Sequence, residues 1–229
     1  MKNIAIITAR GGSKRIPRKN IRDFCGHPIM YYSIKAALES KIFDEVMVST
    51  DDQEIASIAT NCGAKVPFLR SAATANDFAT TEDVLKEVIL QYKSLGLEFS
   101  YGCCLYPTAP FITAQKLKQC FNDMLSNNCD TALTVVRYSF PPQRAFVIPN
   151  GRVSYQYPEY ANMRSQDLEA IYHDCGQFYF FNMRAFLQSH LLIDDNTYPF
   201  IVSEEEVQDI DILSDWKIAE MKYKLMQEN

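Results

Sequence analysis

The stretch Asn3-Ile-Ala-Ile-Ile-Thr8, followed by the basic segment Arg10-Gly-Gly-Ser-Lys-Arg-Ile-Pro-Arg-Lys-Asn-Ile-Arg22, decides the fold. A short, continuous run of apolar and β-branched residues is typical of a strand that is covered on both faces inside a mostly parallel sheet. We therefore expect residues 3–8 to form a central strand, with the basic segment at its carboxyl end.

Outward from this strand, segments with strand and helix patterns alternate along the chain. Further strands are predicted at 46–50, 66–68, 100–105, 130–136 and 177–182, and helices at 28–38, 53–61, 80–92, 113–126 and 214–226. This alternation predicts an α/β fold, in which a mostly parallel sheet lies between helices and the crossovers are right-handed. Because the sequence contains no internal repeat or linker, residues 1–229 are expected to form a single domain.

The segment 137–179 departs from this alternation. It is rich in proline and aromatic residues, and two short alternating runs flank the turn Pro149-Asn-Gly151, which predicts an inserted β-hairpin. A segment of about 40 residues is too small to fold easily alone. We therefore expect the insert to pack on the main sheet or on a second copy of the chain.

Composition excludes several classes of protein. A chain of 229 residues with 47% hydrophobic residues can bury a substantial core, and its net charge of −5 provides no global field that would attract DNA or RNA. Seven cysteines without a Cys-x-x-Cys pair predict free thiols in a reducing compartment. No signal peptide or membrane span is evident, so the prediction is a cytoplasmic protein with no nucleic-acid or membrane partner.

The basic segment after the first strand is the first candidate binding site. It carries six cationic residues and no carboxylate, an arrangement that is costly unless an anion lies among them. Gly11 and Gly12 allow backbone N–H groups to approach a phosphate, and the long side chains of Arg10, Lys14 and Lys19 can reach successive phosphates. We therefore expect a triphosphate here. A solvated basic turn is the alternative, and the location at the carboxyl end of a central strand argues against it.

An acidic segment near the end of the chain is the second candidate site. Asp209 and Asp211 alternate with Ile210 and Ile212, so in an extended segment both carboxylates point to one face while the isoleucines anchor the other. Carboxylate pairs of this kind suit Mg2+, which completes its coordination with water and substrate phosphates. Glu204 to Glu206 are interpreted as a solvated face instead.

Several short motifs carry a resemblance to a known family. They are Ala9-Arg-Gly-Gly-Ser-Lys14, Pro17-Arg-Lys-Asn20, Ser49-Thr-Asp-Asp52, Pro67-Phe-Leu-Arg70 and Gln208-Asp-Ile-Asp211. In this order they resemble the acylneuraminate (sialic acid type) cytidylyltransferases along nearly the whole chain. The segments 140–145, 164–168 and 172–179 are similar to the branch that acts on pseudaminic acid. The resemblance implies a GT-A-like nucleotidyltransferase fold, a homodimer formed through the insert, Mg2+ dependence, and cytidylyl transfer from CTP to a nonulosonic acid sugar with release of pyrophosphate.

The resemblance also implies roles for individual residues. The predicted CTP-binding residues are Arg10, Gly11, Gly12, Ser13, Lys14, Lys19, Asn20, Arg70 and Thr81. Asp209 and Asp211 are expected to hold the metal, and together with Arg10, Lys14 and Lys19 they form the predicted catalytic set. Arg164 or Arg144 is expected to pair with the sugar carboxylate, with Arg164 favoured. Gln143, His173, Asp174 and Gln177 are candidates to bind the acylamino and hydroxyl groups, although a purely structural role for His173 is equally favoured.

Alternative functions remain open from the sequence. A GT-A glycosyltransferase also binds a nucleotide and a metal through a carboxylate pair, but its diphosphate donor requires fewer cations. A non-catalytic nucleotide-binding regulator has the same pocket and no turnover. Within the cytidylyltransferases, legionaminic acid or N-acetylneuraminic acid is the alternative acceptor.

Overall fold

Ten strands and six α-helices, with short 3-10 turns between them, make up the structure, a computed structural model that describes residues 2–228. The strands are β1 (Asn3–Thr8), β2 (Asp23–Phe24), β3 (His27–Pro28), β4 (Glu45–Ser49), β5 (Tyr101–Leu105), β6 (Thr131–Arg137), β7 (Phe146–Val147), β8 (Ser154–Tyr155), β9 (Tyr172–Asn182) and β10 (Thr197–Ile201). The helices are α1 (Met30–Ser40), α2 (Gln53–Asn61), α3 (Thr81–Ser94), α4 (Ala114–Ser126), α5 (Met183–Ser189) and α6 (Leu213–Glu228).

Six strands form the central sheet, in the order β10-β6-β9-β5-β1-β4. β1 is parallel to both β4 and β5, and β10 is parallel to β6, whereas β9 is antiparallel to its neighbours β5 and β6. Five strands therefore run in one direction and β9 runs in the other. The predicted α/β fold with a mostly parallel sheet is confirmed, and β1 lies inside the sheet as expected.

Helices cover both faces of this sheet. Along β1, Ala5 and Ile7 belong to a core that contains apolar residues of α1, α2 and α4. Ile4 and Ile6 belong to a second core with apolar residues of α3 and α5. Because successive side chains of a strand point to opposite faces, a continuously apolar strand requires both layers.

The predicted strand 66–68 is wrong. Only Lys65 bridges to Met47, although the backbone N–H of Arg70 also donates to the carbonyl of Thr50 at 2.8 Å. Pro67 has no N–H and cannot complete a ladder, so the segment follows the edge of β4 without pairing along its length. Helix α5 and strand β10 are additional elements that the sequence pattern did not predict.

The insert lies between the end of β6 and the start of β9. It contains the small hairpin β7–β8, in which Phe146 pairs with Tyr155, close to the predicted position. The predicted bounds 137–179 are too wide, because Arg137 ends β6 and residues 172–179 are part of β9. Residues 172–179 do not alternate regularly in sequence, because the pairing register of β6 with β9 shifts between Leu133 and Val135. In the same part of β9, Gly176 has a φ of 61°.

Two further observations concern the chain as a whole. Within residues 2–228, no helix combines the length and the apolar character needed to cross a bilayer. All seven cysteines are free thiols, and Cys103, Cys104, Cys120 and Cys175 are buried. The prediction of free thiols is therefore confirmed.

Candidate active site

A cavity of about 480 Å³ opens at the carboxyl edge of the sheet, where β1, β4 and β5 end. Ligands of open α/β sheets bind at this edge because the loops that follow parallel strands converge there. The cavity is lined by five cationic side chains, Arg10, Lys14, Arg15, Lys19 and Arg70, and by two carboxylates, Asp77 and Asp211. Ser13, Asn20 and Thr81, also predicted as CTP-binding residues, lie in the same lining.

Two buried side chains hold the basic loop in place. The Asn20 amide donates to the carbonyl of Arg10 at 2.9 Å, and Asn20 itself is buried. Ile16 inserts into a small core with Phe24 and Trp216. The loop is thus anchored at two points between its cations, and Asn20 acts by positioning Arg10.

Gly11 is required where the loop passes the start of α2. Its N–H donates to the Asp51 carboxylate at 2.9 Å, and a Cβ on Gly11 would lie 2.9 Å from Oδ2 of Asp52. A Cβ on Gly12 would meet no atom within 4 Å. Only at Gly11, therefore, does the close approach of the backbone to Asp52 require a residue without a side chain.

Gly11→Ala should lower the free energy of unfolding by about 1–3 kcal/mol, because the added methyl group displaces the Asp52 side chain. Gly12→Ala is the matched control and should change stability by less than about 0.5 kcal/mol. Urea denaturation at neutral pH measures both. Equal stability of the two variants would contradict the packing described here.

Asp52 couples the basic loop to α2. Its carboxylate accepts hydrogen bonds from the N–H groups of Glu54 and Ile55 as the N-cap of the helix, and Arg18 donates to the same carboxylate, with Nη2 to Oδ1 at 3.2 Å. The hydrogen bond from Arg18, assisted by those from the helix backbone, lowers the pKa of Asp52 to about 2. The ionised carboxylate is therefore part of the folded loop.

Asp52→Ala should reduce the free energy of unfolding at pH 7 by about 1–2 kcal/mol, through loss of the cap and of the Arg18 contact. Since the pKa of Asp52 is lower in the folded chain than the unfolded value of about 3.9, its stabilisation is complete above that pH and is lost as the pH falls towards about 2. The deficit of Asp52→Ala should accordingly shrink between pH 7 and pH 3 in urea titrations. The uncharged cap of α4 provides the control: Thr113→Ala should have a deficit that does not change with pH.

Asp77, which no sequence motif indicated, pairs with two cations of the loop. Its carboxylate binds Arg10 at 2.7 Å and also binds Lys14, and the backbone carbonyl of Asn76 accepts from Arg10 at 3.1 Å. Hydrogen bonds from Lys14 and Arg10 lower the pKa of Asp77. Only the position of Asp77 in the sequence indicated its role, because the segment before α3 passes the carboxyl end of β4, the strand next to β1.

The basic loop and the acidic segment meet, as the sequence predicted. Lys19 Nζ donates to the carbonyl of Ile210 at 2.7 Å, and Arg15 pairs with Asp211 at 2.6 Å. Burial lowers the pKa of Lys19, while the negative charges of Asp211 and Asp209 oppose that shift. Residues almost two hundred positions apart in sequence thus form one wall of the cavity.

The acidic segment departs from the predicted alternation after Asp211. Ile210 is buried, but Ile212 is 51% exposed and anchors nothing. The carboxylate of Asp215 accepts hydrogen bonds from the N–H groups of Asp211 and Ile212, both at 2.9 Å, and this turn leads into α6. The backbone therefore leaves the extended conformation one residue earlier than the sequence pattern indicated.

Asp209 lies beside a different cavity from Asp211. It lines a smaller space of about 250 Å³ that also contains His173. Within residues 2–228, no group of three or more His, Cys, Asp or Glu side chains is placed to hold a metal ion. Mg2+ commonly takes one or two protein carboxylates and completes its shell with water and phosphate oxygens, so the carboxylates of Asp209 and Asp211 are suitable donors for that ion, although they line different cavities.

Arg70 and Thr81 occupy the far wall of the larger cavity. Arg70 is buried and donates to the carbonyl and the hydroxyl of Ser49 at 2.7 and 3.0 Å, and burial lowers the pKa of its guanidinium. The Thr81 hydroxyl forms a hydrogen bond with the hydroxyl of Tyr106 at 3.2 Å. Both residues border the cavity, and Tyr106 is a further lining residue that the predicted set lacked.

The predicted sugar-binding residues are not gathered in one place. The side chains of Gln143 and Gln177 are buried, and each donates to a backbone carbonyl, that of Glu169 and that of Glu206 respectively. Asp174 accepts from the N–H of Gly176 and from the hydroxyl of Tyr179. The side chains of Gln143, Gln177 and Asp174 therefore form hydrogen bonds within the protein.

The two candidate arginines belong to the insert. Arg144 lies in a short helical turn, and Arg164 forms a two-point ion pair with Asp167, at 2.7 and 3.1 Å. His173 is the member of the predicted sugar-binding set that lines the cavity next to Asp209. Its ring packs against Tyr138, with 4.6 Å between ring centroids.

Comparison with known proteins shows the family of the chain. Residues 4–210 match the cytidylyltransferase family. The chain is 40% identical over 230 residues to a pseudaminic acid cytidylyltransferase of Campylobacter jejuni, covering 100% of this chain and 99% of the relative. It is 29% identical over 235 residues to a CMP-N,N'-diacetyllegionaminic acid synthase of Legionella pneumophila, with the same coverage of the two chains.

A solved structure supports the fold independently. CMP:2-keto-3-deoxy-manno-octonic acid synthetase complexed with CTP aligns with a TM-score of 0.71, covering 100% of both chains at 20% sequence identity. At that identity the likeness concerns the fold alone, whereas the family match covers most of the sequence. The chain is a nucleotidyltransferase and belongs to the cytidylyltransferase family.

Proposed function

We propose that this enzyme transfers the cytidylyl group of CTP to a nonulosonic acid, with pseudaminic acid as the acceptor, and releases pyrophosphate. The observation that carries the proposal is the cavity in which the cations of the basic loop face Asp211 across the carboxyl edge of the sheet. The relatives from Campylobacter jejuni and Legionella pneumophila, whose names specify nonulosonic acids, support this class of acceptor.

In this mechanism the basic loop binds the triphosphate. Arg10 and Lys14 exchange their contact with Asp77 for phosphate oxygens, which are stronger acceptors in a multiply charged group. Lys19, held against the carbonyl of Ile210, contacts the phosphates from the side of the acidic segment. The loop thereby stabilises the charge that develops on pyrophosphate as it leaves.

The acceptor reacts through its anomeric hydroxyl. The hydroxyl oxygen forms a bond to the α-phosphorus, the bond from this phosphorus to the bridging oxygen breaks, and pyrophosphate leaves with the electron pair while the hydroxyl proton passes to solvent. Such a transfer depends on positioning and charge neutralisation, so no covalent intermediate with the protein is required.

We further propose that Asp209 and Asp211 hold Mg2+ when CTP is bound. A bound Mg2+ supplies charge neutralisation at the phosphate oxygens. Arg15 and Lys19 compensate the negative charge of these carboxylates within the chain. Arg15 pairs with Asp211, and Lys19 interacts electrostatically with both Asp209 and Asp211. They also keep the acidic segment against the basic loop.

We also propose that the chain forms a homodimer through the insert. Phe140, Phe146, Ile148 and Val153 are 86%, 57%, 69% and 66% exposed, an apolar concentration that favours contact with a second copy. The seven free thiols favour a reducing compartment, and we propose the cytoplasm.

Release of pyrophosphate from CTP tests the function directly. The purified enzyme is assayed with CTP, Mg2+ and, in separate reactions, pseudaminic, legionaminic or N-acetylneuraminic acid. We expect the highest kcat/KM with pseudaminic acid and no release without a sugar acid. Preference for another of the three would change the acceptor and leave the reaction class intact. No turnover with any of them would support the non-catalytic regulator, and turnover of a nucleotide sugar instead of CTP would support the glycosyltransferase.

A further inference from the structure

Carboxylates from other parts of the chain neutralise the basic loop. Four of its cations pair with them: Arg10 and Lys14 with Asp77, Arg15 with Asp211, and Arg18 with Asp52 and Glu54. This pairing lowers the electrostatic cost of gathering like charges in one short segment. It also means that an anionic ligand must compete with the protein for the same cations.

Two of these carboxylates, Asp77 and Asp211, line the cavity of about 480 Å³, whereas Arg18 and its partners lie outside its lining. Asp211 belongs to the acidic segment, for which the proposed function already provides a role. Asp77 is therefore the carboxylate of this cavity that the proposed reaction does not use. Its two partners, Arg10 and Lys14, are cations that the proposed mechanism assigns to the phosphates.

The contact between Asp77 and the two cations is accessible to a ligand. Nη1 of Arg10 donates to Oδ1 of Asp77 at 2.7 Å, and Lys14 donates to Oδ2. The side chains of Arg10, Lys14 and Asp77 are 36%, 79% and 41% exposed. A ligand that enters from solvent can therefore reach both cations without disturbing the core. Because ion pairs as exposed as these are weak, a polyphosphate can displace the carboxylate.

The segment 71–80, which carries Asp77, is folded by other side chains. At its start, the N–H and the hydroxyl of Ser71 donate to the carboxylate of Glu87 on α3, at 2.8 and 2.9 Å. Near its tip, the side-chain oxygen of Asn76 accepts from the backbone N–H groups of residues 78 and 79, at 2.8 and 3.1 Å. The backbone of the segment can therefore keep its shape when the carboxylate of Asp77 leaves its cations.

The contacts that hold the tip of this segment against the basic loop are polar. Arg10 donates to the carbonyl of Asn76 at 3.1 Å in addition to pairing with Asp77. Phe78 is 93% exposed, so apolar packing of this side chain does not fix the tip. Hydrogen bonds from Lys14 and Arg10 lower the pKa of Asp77, so its carboxylate is ionised at neutral pH. Binding of a phosphate to both cations therefore requires Asp77 to release them.

We propose that Asp77 competes with the phosphates of CTP and with pyrophosphate for Arg10 and Lys14, and that this competition favours the release of pyrophosphate. The inference rests on the proposed function. Displacing Asp77 costs the same for both ligands, but CTP also has a nucleoside that can bind elsewhere in the cavity, whereas pyrophosphate has only its charge. When Asp77 returns to its cations, it replaces the interactions that hold the product. Asp77 thus acts through Arg10 and Lys14 and does not itself contact the substrate.

Calorimetric titration of the purified enzyme with inorganic pyrophosphate and with CTP, at a fixed concentration of Mg2+, tests this competition. We expect Asp77→Asn to bind both ligands about 5- to 30-fold more tightly than the wild type, because two exposed ion pairs and one negative charge beside a polyanion are lost. Asp77→Glu keeps the charge and should stay within about threefold of the wild type. The control is Glu54→Gln, which removes one negative charge from the pair with Arg18, outside the cavity lining, and should change neither affinity by more than about twofold.

Product inhibition provides a second readout. When formation of the CMP-sugar is measured with added pyrophosphate, the inhibition constant should fall in Asp77→Asn by the same factor as the dissociation constant. Unchanged or weaker binding of pyrophosphate by Asp77→Asn would overturn the inference, and so would equal tightening in Glu54→Gln, since net charge would then explain the effect. A wild type that binds neither CTP nor pyrophosphate would refute the proposed function itself. A wild type that binds both, with no gain in Asp77→Asn, would refute only the competition by Asp77.

Discussion

Asp211→Asn will lower kcat with CTP and the sugar acid by about 100- to 1,000-fold, the range found when one charge-stabilising group is removed from a preorganised site. Asp211 is the carboxylate of the acidic segment that lines the main cavity, and asparagine keeps its shape while removing its charge. The variant should also release Arg15, which pairs with Asp211 at 2.6 Å. Initial rates of pyrophosphate release at saturating substrates measure the effect.

The control for this variant comes from the same stretch of chain. Glu205 is exposed, and Glu205→Gln should keep kcat within about twofold of wild type, as surface substitutions do. CTP binding to Asp211→Asn, measured by calorimetry with and without Mg2+, separates a catalytic role from misfolding. A non-catalytic regulator would bind CTP with no dependence on Asp211, and near-normal turnover of Asp211→Asn would remove the aspartate from the mechanism.

Arg10→Met should produce the second large effect, a fall in kcat/KM for CTP of about 100- to 1,000-fold. Methionine preserves the length and apolar stem of the side chain but removes the guanidinium that lies at the mouth of the cavity. KM should rise more for CTP than for the sugar acid, because in the proposed mechanism the loop contacts only the nucleotide.

An exposed lysine far from the cavity controls for net charge. Lys35 lies on α1, half exposed, with Glu39 3.9 Å away, so Lys35→Met removes one positive charge without touching the basic loop. Its kinetic constants should match those of the wild type. Equal effects of Arg10→Met and Lys35→Met would mean that overall charge, and not the loop, attracts CTP.

The parts of the site predicted from sequence were those with a local signal. The apolar run of β1 and the six cations that follow it identify a buried strand and an anion site within twenty residues of sequence. The acidic segment was recognised from the alternation of Asp209, Ile210 and Asp211. Their contact across the chain was inferred from chemistry, because a nucleotide with its metal needs both charges.

The parts that were missed depend on distant contacts or on weak patterns. Asp77 has no motif, and its role follows only from Arg10 and Lys14 reaching it across the cavity. Helix α5 has only seven residues, which is too short for a clear helical pattern. The edge strand β10 contains Pro199, and a proline weakens the prediction of a strand.

The central claim is that the basic loop and the acidic segment bind one triphosphate between them. A crystal structure of the enzyme with CTP and Mg2+ tests it most directly. We expect the phosphates to contact Arg10, Lys14 and Lys19 on one side, and the metal to lie between the phosphates and the carboxylates of Asp209 and Asp211 on the other. Phosphates bound elsewhere, with Arg10 and Lys14 still paired with Asp77, would contradict the account.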